Sequence, residues 1–413
     1  MLRLVPPAGT PLKMIQVFRA LNSVLRRGRG TEDGLAALGR RLGVQHVFGI
    51  CSGRAALWLI FESLRRLRPE RSVVALPAYT CFSVPAAAVR AGLKIVPVDM
   101  DPETLDFDFS ELEALPEEQL LCIVTSNLFG LVNDVPRIRE IARTKGAFVV
   151  DDAAQALGAT RNGIFAGTDE DVGLYSLGRG KATGIVQGGV IVTNSEEIAA
   201  VIEGEVKKLS SPSSVDEFSL LVQLLSSSIL LNPRLYWIPD SLPFLKLGST
   251  EFDPTFSTTA LPRLSLALLA QLIEGLNRMN QIRRNNAKVL TEALVGNSYF
   301  SSPKPAMNSE PTYIRFPVLA KDGATRLRIL SLLRRAGIGA SVFYPSAICD
   351  IPGIQQQMAS GDFHRAHAED LSQRLLTLPT HPYVRPSDLE CIRALLTSVQ
   401  TEKEMAAVSV PCT

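Results

Sequence analysis

Short apolar runs alternate with amphipathic segments between residues 45 and 195. Runs rich in β-branched residues predict seven strands, at 46–50, 72–76, 94–98, 120–126, 147–151, 172–176 and 189–193. Segments 55–67 and 135–146 instead repeat apolar residues at helical spacing. Buried strands that alternate with helices predict an α/β fold, in which a mostly parallel seven-stranded sheet is flanked by helices.

The pattern changes beyond residue 195. Residues 205–250 are apolar and irregular, and a long amphipathic helix is predicted over 262–295. A strand at 312–320 and helices at 324–338 and 386–399 follow. A chain of 413 residues usually has more than one core. We therefore predict a large domain with the N-terminal segment at 1–250, and the connecting helix with a smaller C-terminal α/β domain at 251–413.

The amino-acid composition of the chain indicates which binding partners it is not expected to have. The 43 Lys and Arg residues nearly balance 41 Asp and Glu residues, which gives no electrostatic reason for nucleic acid binding. The apolar segment 205–250 is better explained by packing against a second subunit or domain than by peripheral membrane contact. The six cysteines form no CxxC pair, and His364 and His367 have no third ligand beside them in sequence. We therefore expect no bound metal and a cytoplasmic protein.

Three strand ends carry residues that suit a bound cofactor. Ser52, Gly53 and Arg54 follow the first strand and open a helix, where free amide groups favour phosphate. Asp152 ends the fifth strand, and Lys181 follows the sixth in the stretch GRGKATG. Taken alone, the turn is better explained as an ordinary helix cap and the lysine as a solvated loop lysine, and the acid can also be a helix cap. Together at one sheet edge they match pyridoxal 5'-phosphate, which needs a phosphate anchor, an acid for its ring nitrogen and a lysine for its aldehyde.

Longer stretches strengthen this interpretation by resemblance. SGRAAL (52–57), NLFGLVNDVPRIREIARTKGAFVVDDAAQALGA (127–159) and YSLGRGKATGIVQGG (175–189) resemble the DegT-type sugar aminotransferase family in order and spacing. The resemblance is good over about 35–200 and weaker towards the C-terminus. It implies the fold type I architecture, a homodimer, and transfer of an amino group from L-glutamate to a nucleotide-linked keto sugar, in surface polysaccharide or secondary-metabolite biosynthesis.

The resemblance also implies roles for single residues. Lys181 matches the catalytic lysine that binds the cofactor aldehyde, and Asp152 matches the acid at the ring nitrogen. The remaining matched positions are Gln155 beside the ring, and Ser176 with the turn Ser52, Gly53 and Arg54 around the phosphate. Cys81 stands where the family often has an aromatic residue stacked on the ring. We therefore expect Tyr79 or Phe82 to cover the ring instead.

Lys181 also separates the alternative functions. A related enzyme could act on a non-sugar ketone or as a dehydratase, and a non-catalytic sensor or scaffold could retain the fold. Sugar dehydratases that resemble this chain have histidine at the lysine position, so Lys181 argues against that branch. A sensor would have no need to bury Lys181 and Asp152, because burying ionisable groups does not stabilise a fold.

Overall fold

The computed structural model describes residues 3–26, 30–242, 248, 250–361 and 363–400. Its strands are β1 (His46–Ile50), β2 (Val73–Pro77), β3 (Lys94–Val98), β4 (Leu120–Val124), β5 (Phe148–Asp152), β6 (Thr160–Arg161), β7 (Ile164–Phe165), β8 (Val172–Ser176), β9 (Gly189–Thr193), β10 (Phe300–Ser301), β11 (Ser309–Glu310), β12 (Phe316–Ala320) and β13 (Leu375–Leu378). Its helices are α1 (Met14–Leu25), α2 (Gly30–Leu42), α3 (Gly53–Leu67), α4 (Ser83–Arg90), α5 (Phe109–Ala114), α6 (Val135–Thr144), α7 (Glu196–Val206), α8 (Ser214–Leu230), α9 (Trp237–Asp240), α10 (Arg263–Ile273), α11 (Leu276–Ala293), α12 (Gly323–Arg335), α13 (Ala366–Arg374) and α14 (Pro386–Gln400).

A seven-stranded sheet in the order β1-β9-β8-β5-β4-β2-β3 forms the centre of the larger part. Strands β3, β2, β4, β5 and β8 run parallel, whereas β9 runs antiparallel to both of its neighbours, β8 and β1. The carboxyl ends of β1, β5 and β8 therefore lie at the same edge as the amino end of β9. This mostly parallel sheet confirms the predicted fold class.

Apolar cores cover both faces of this sheet. Leu174 packs with Ile191 and the α3 residue Ile60 in one cluster. The next residue, Tyr175, packs with Val190 and the α10 residue Leu268 in another. Because successive strand residues point to opposite faces, each strand contributes to both cores. This explains why the strands appear in the sequence as continuous apolar runs.

The C-terminal part is built on the three-stranded antiparallel sheet β10-β12-β13, which packs with α11, α12 and α14. The single helix predicted over 262–295 is wrong, because the chain turns at Gly275 and forms α10 and α11. The N-terminal segment reaches this part, since Val5 lies in its core and Arg3 pairs with Asp388 at 2.5 Å. The division into domains at residue 250 stays a prediction.

Two helices leave apolar side chains exposed. Ile15 and Phe18 of α1 are about half exposed, and α8 exposes Val215 and Phe218. Helices α1 and α8 pack against each other, so these side chains lie on neighbouring surfaces. Part of the predicted apolar segment, residues 243–247 and 249, lies outside the described residues. Among the described helices, none is long and apolar enough to cross a membrane.

Candidate active site

A cavity of about 470 Å³ opens at the edge where β1, β5 and β8 end. Eight residues that the sequence singled out line it: Ser52, Gly53, Arg54, Cys81, Asp152, Gln155, Ser176 and Lys181. They come from four separate stretches of the chain and meet because the strands share one edge. Residues that sequence reasoning missed also line it, among them Ser83, Asn127, Phe256, Ser257 and Tyr344.

The opening of α3 forms one wall of the cavity. The Ser52 hydroxyl accepts a hydrogen bond from the Ala55 amide at 3.1 Å and so caps the helix. A Cβ atom on Gly53 would stand 3.3 Å from the Ser176 hydroxyl oxygen, so glycine brings this turn close to β8. A Cβ atom on Gly189 would meet the Ser52 carbonyl at 2.4 Å. Glycine at these two positions therefore keeps Ser176 beside the helix N-terminus, where an anion is favoured.

The Arg54 guanidinium extends along the same wall. Its Nε donates to the Ser83 hydroxyl at 3.2 Å, and its Nη1 donates to the Asp253 carbonyl at 3.0 Å. The guanidinium also lies 5.5 Å from the centre of the Phe256 ring. These contacts fix the segment around residues 253–257 against the cavity.

The two acids at the end of β5 have different surroundings. Asp151 is fully buried and accepts hydrogen bonds from the Thr125 hydroxyl, from the Asn127 side chain at 2.5 Å and from the Gly167 amide at 2.5 Å. Asp152 points to the other face, as strand geometry requires, and lines the cavity. Its carboxylate accepts from the Ala154 amide at 2.9 Å. Asp151 thus stabilises the fold, and Asp152 is available to a ligand.

Burial raises the pKa of Asp152 to about 6. The Ala154 amide and the charge of Lys181 act in the opposite direction, since both favour the carboxylate. A cationic group placed next to Asp152 would favour the ionised form further.

Lys181 is held by its backbone in a tight loop. Its amide donates to the Gly178 carbonyl at 3.2 Å, and its carbonyl accepts from the Thr10 hydroxyl at 2.8 Å. The buried Arg283 in turn donates to Thr10 at 2.5 Å. Gly180 has a φ of 73°, which glycine adopts without strain. Thr10 and Arg283 could not be identified from sequence, because they lie far along the chain from the lysine.

The Lys181 ammonium group is disfavoured by its surroundings. Burial is the main cause of a lowered pKa, and the nearby cation Arg315 lowers the pKa further. Cys81 and Asp152 oppose this shift. The result is an amine with an increased neutral fraction, which is the form needed for nucleophilic or base chemistry.

Gln155 connects the cavity to the C-terminal part. Its Oε1 accepts from the Phe129 amide at 3.0 Å, and its Nε2 donates to the Tyr344 hydroxyl at 3.1 Å. Tyr344 lines the cavity, as does the aromatic residue Phe256. Tyr79 and Phe82, which the sequence suggested as ring covers, do not line it. The Tyr79 hydroxyl is occupied by the Tyr344 backbone, and Phe82 lies in the core beside α3.

A separate polar cluster surrounds the start of α13. The His364 ring lies within 4.8 Å of the carboxylates of Asp99 and Glu111. These two acids are far from His364 in sequence, so the sequence did not indicate them. The buried Asp99 carboxylate accepts from the backbone amides of His367 and Ala368, at 2.9 and 2.8 Å. These bonds cap the helix, and they account for Asp99 without a metal ion.

Substitutions at the acid pair should separate their roles. In cofactor-free protein, Asp151→Asn should lower the free energy of unfolding by about 1–3 kcal/mol, because an amide group cannot accept from all three donors. At pH 7, Asp152→Asn should unfold at the same urea concentration as the wild type or at a higher one. The reverse order in urea titrations would contradict the assignment.

The same variants predict a pH dependence. The folded pKa of Asp152, about 6, exceeds its unfolded value, so its contribution to stability is present below pH 4 and is lost as the pH rises to about 6. Asp152→Asn cannot titrate. Its stability relative to wild type should therefore rise by roughly 2–3 kcal/mol between pH 4 and pH 7. A flat difference across that range would show that Asp152 has an ordinary pKa.

The chain is similar in sequence to known proteins of one family. The chain matches the model of the DegT/DnrJ/EryC1/StrS aminotransferase family over residues 14–235 and 244–397. It is 26% identical over 373 residues to a UDP-N-acetyl-3-dehydro-alpha-D-glucosamine 3-aminotransferase of Acidithiobacillus ferrooxidans, covering 90% of this chain and 88% of that protein. It is also 26% identical over 361 residues to the GDP-perosamine synthase of Caulobacter vibrioides, covering 86% of each.

Solved structures share the fold. The E. coli GDP-4-keto-6-deoxy-D-mannose-3-dehydratase with bound hydrated PLP superimposes with a TM-score of 0.77 at 19% identity, covering 96% of this chain and 100% of that one. Likeness at this identity concerns the fold alone. The family model, however, spans all strands of the large sheet and most of the C-terminal part. The chain therefore belongs to the DegT/DnrJ/EryC1/StrS aminotransferase family, as its motifs predicted.

Proposed function

We propose that this protein is a pyridoxal-phosphate-dependent aminotransferase that moves an amino group from L-glutamate to a nucleotide-linked keto sugar. The observation that carries the proposal is the convergence of Lys181, Asp152 and Ser176 on one cavity. Aminotransferases of this family are PLP-dependent. The product would enter surface polysaccharide or secondary-metabolite biosynthesis, and a cytoplasmic location stays a prediction.

The donor groups of the cavity fit this cofactor. The Ser176 hydroxyl, the α3 amides and Arg54 would hold the phosphate, at a turn where glycine leaves room for an anion. Asp152 would hold a proton on the ring nitrogen, and that cationic nitrogen would in turn keep the buried carboxylate ionised. Gln155 and Cys81, which also line the cavity, would lie beside the ring.

The chemistry divides between cofactor and protein. When bound, PLP supplies a sink for the electrons released as the amino-bearing carbon loses its proton. Lys181, whose amine is disfavoured as an ammonium, can accept that proton on Nζ as a general base and give it up as a general acid within the same half-reaction. The second half-reaction needs the same two transfers in reverse. The Thr10 hydroxyl fixes the backbone of the loop, and this sets the point from which Nζ reaches the substrate.

The substrate class is supported by the named relatives. One aminates a UDP-linked sugar, and the other is a GDP-perosamine synthase, so both names contain a nucleotide-linked sugar. A keto group on such a sugar is the acceptor that we propose here. L-glutamate as the donor rests on the resemblance of the motifs to the family.

Two half-reactions test the function. Each changes the absorbance of the bound cofactor, so purified protein should lose its visible band with L-glutamate and recover it with a nucleotide-linked keto sugar. Lys181→Ala should slow both steps by on the order of 10²- to 10⁴-fold, because the proton acceptor is removed. Arg335→Gln, an exposed change on α12, should react like the wild type.

The outcomes separate the rival functions. Bleaching by glutamate with recovery only by non-sugar ketones would contradict the sugar acceptor and retain the aminotransferase. A cofactor-loaded protein that responds to no amino donor would instead support a dehydratase or a sensor.

We also propose that the protein is a homodimer that uses the exposed apolar side chains of α1 and α8. Phe18 and Phe218 project from these neighbouring helices, and Trp237 on α9 is about half exposed. Such side chains would be covered if a second copy packed against them. Peripheral contact with a membrane is the alternative.

Light scattering at micromolar concentration tests the dimer. The measured mass of the wild-type protein should be twice that of a single chain. Phe218→Glu should lower the measured mass towards that of a single chain. Val295→Glu alters an equally exposed apolar side chain, after α11, and should leave the mass unchanged. A wild-type protein that is active as a monomer would contradict the proposal. If the wild type binds anionic vesicles and Phe218→Glu does not, the exposed side chains contact a membrane instead.

A further inference from the structure

Arg315 reaches the lysine loop from the C-terminal part of the chain. It directly precedes β12, and its Nη1 donates to the Ser341 hydroxyl at 2.9 Å. Its guanidinium lies 5.3 Å from the centre of the Phe343 ring. A Cβ atom placed on Gly180, the residue before Lys181, would stand 3.9 Å from Nη2. The guanidinium is therefore a neighbour of the catalytic loop.

This cation lacks an acidic partner among the residues that the structure describes. The only side-chain hydrogen bond that it donates there goes to a neutral hydroxyl. The ionisable groups around it are Lys181, His381 and the phenols of Tyr236 and Tyr344, none of which is an anion at neutral pH. A partly buried guanidinium without a charged partner is unfavourable, so the arrangement favours an anion that arrives from outside.

The backbone in front of Arg315 is fixed to the cavity wall. The Thr312 hydroxyl donates to the Gln155 carbonyl at 3.0 Å, and the Ile314 amide donates to the Phe129 carbonyl at 3.1 Å. Tyr313 and Phe129 have φ values of 45° and 61°, a region that aromatic residues rarely adopt. Strain of this kind persists at functional sites when the surroundings enforce it. Arg315 is thus held in a set position relative to Gln155.

Neighbours of Arg315 line two cavities. Lys181 and Tyr344, which it influences electrostatically, line the main cavity. Its hydrogen-bond partner Ser341 lines a second cavity of about 370 Å³, together with Tyr236. The guanidinium therefore lies next to residues of both spaces.

We propose that Arg315 binds an anionic group of a substrate whose reacting atom lies at Lys181. The group is the carboxylate of the amino donor or a phosphate of the nucleotide-linked acceptor, and both suit the planar, two-pronged guanidinium. The cofactor phosphate is a different ligand, since its proposed site is the turn at Ser52–Arg54. The inference rests on the proposed function for the identity of these two substrates.

Non-reacting probes can test the site without turnover. Calorimetry on cofactor-loaded protein would measure binding of glutarate, a dicarboxylate, and separately of UDP, GDP and dTDP. Arg315→Gln should weaken one of these two classes on the order of 10- to 100-fold. Arg315→Lys should weaken it less, because it keeps the charge and loses the planar fork. Arg335→Gln removes an exposed arginine of α12 and should bind as the wild type does.

Half-reaction kinetics then locate the effect. Loss of glutarate binding should accompany a raised KM for the amino donor, and loss of nucleotide binding a raised KM for the keto sugar. In either case kcat should fall less than kcat/KM. Equal affinities of wild type and Arg315→Gln for every probe would overturn the inference, as would a wild type that binds none of them. Probe binding that depends on Arg315 in a protein without transamination would retain the inference and reject the proposed function.

Discussion

Burial of the Lys181 amine is the constraint on which the rest of the cavity depends. Removing an ammonium group from water favours the neutral amine, and Arg315 adds to that effect while Asp152 opposes it. An uncharged amine inside a folded protein needs a backbone that holds it in place. The Thr10 hydroxyl and the glycine-rich loop supply that support, so parts of the chain about 170 residues apart cooperate on one side chain.

The acids of β5 illustrate how a single strand serves both stability and chemistry. Asp151 and Asp152 are adjacent, but strand geometry sends them to opposite faces. Three donors hold Asp151 in the interior, whereas Asp152 borders the cavity and has a raised pKa. A buried carboxylate with few donors is costly unless a cation joins it. The site is therefore arranged for a positively charged group next to Asp152.

The sequence predicted the parts of the site that follow directly from strand ends. Buried strands have a distinct apolar pattern, and residues after them must meet at one edge, which brought Ser52, Asp152 and Lys181 together. Tyr344, Ser257 and Arg315 were missed, because nothing local indicates which distant segment folds over a cavity. The turn at Gly275 was missed for a related reason, since the apolar spacing continues across it although one helix ends at Ile273 and the next begins at Leu276. Tyr79 and Phe82 were suggested by proximity in sequence to Cys81, although their side chains point into other contacts.

The attachment point of the cofactor shows whether Lys181 is the catalytic lysine of this cavity. Protein purified with pyridoxal phosphate would be treated with borohydride, digested and mapped by mass spectrometry. One reduced phosphopyridoxyl group is expected, on the peptide that contains Lys181, and none is expected in Lys181→Ala protein. A label on another lysine, or an undiminished label in that variant, would contradict the assignment of this cavity as the active site.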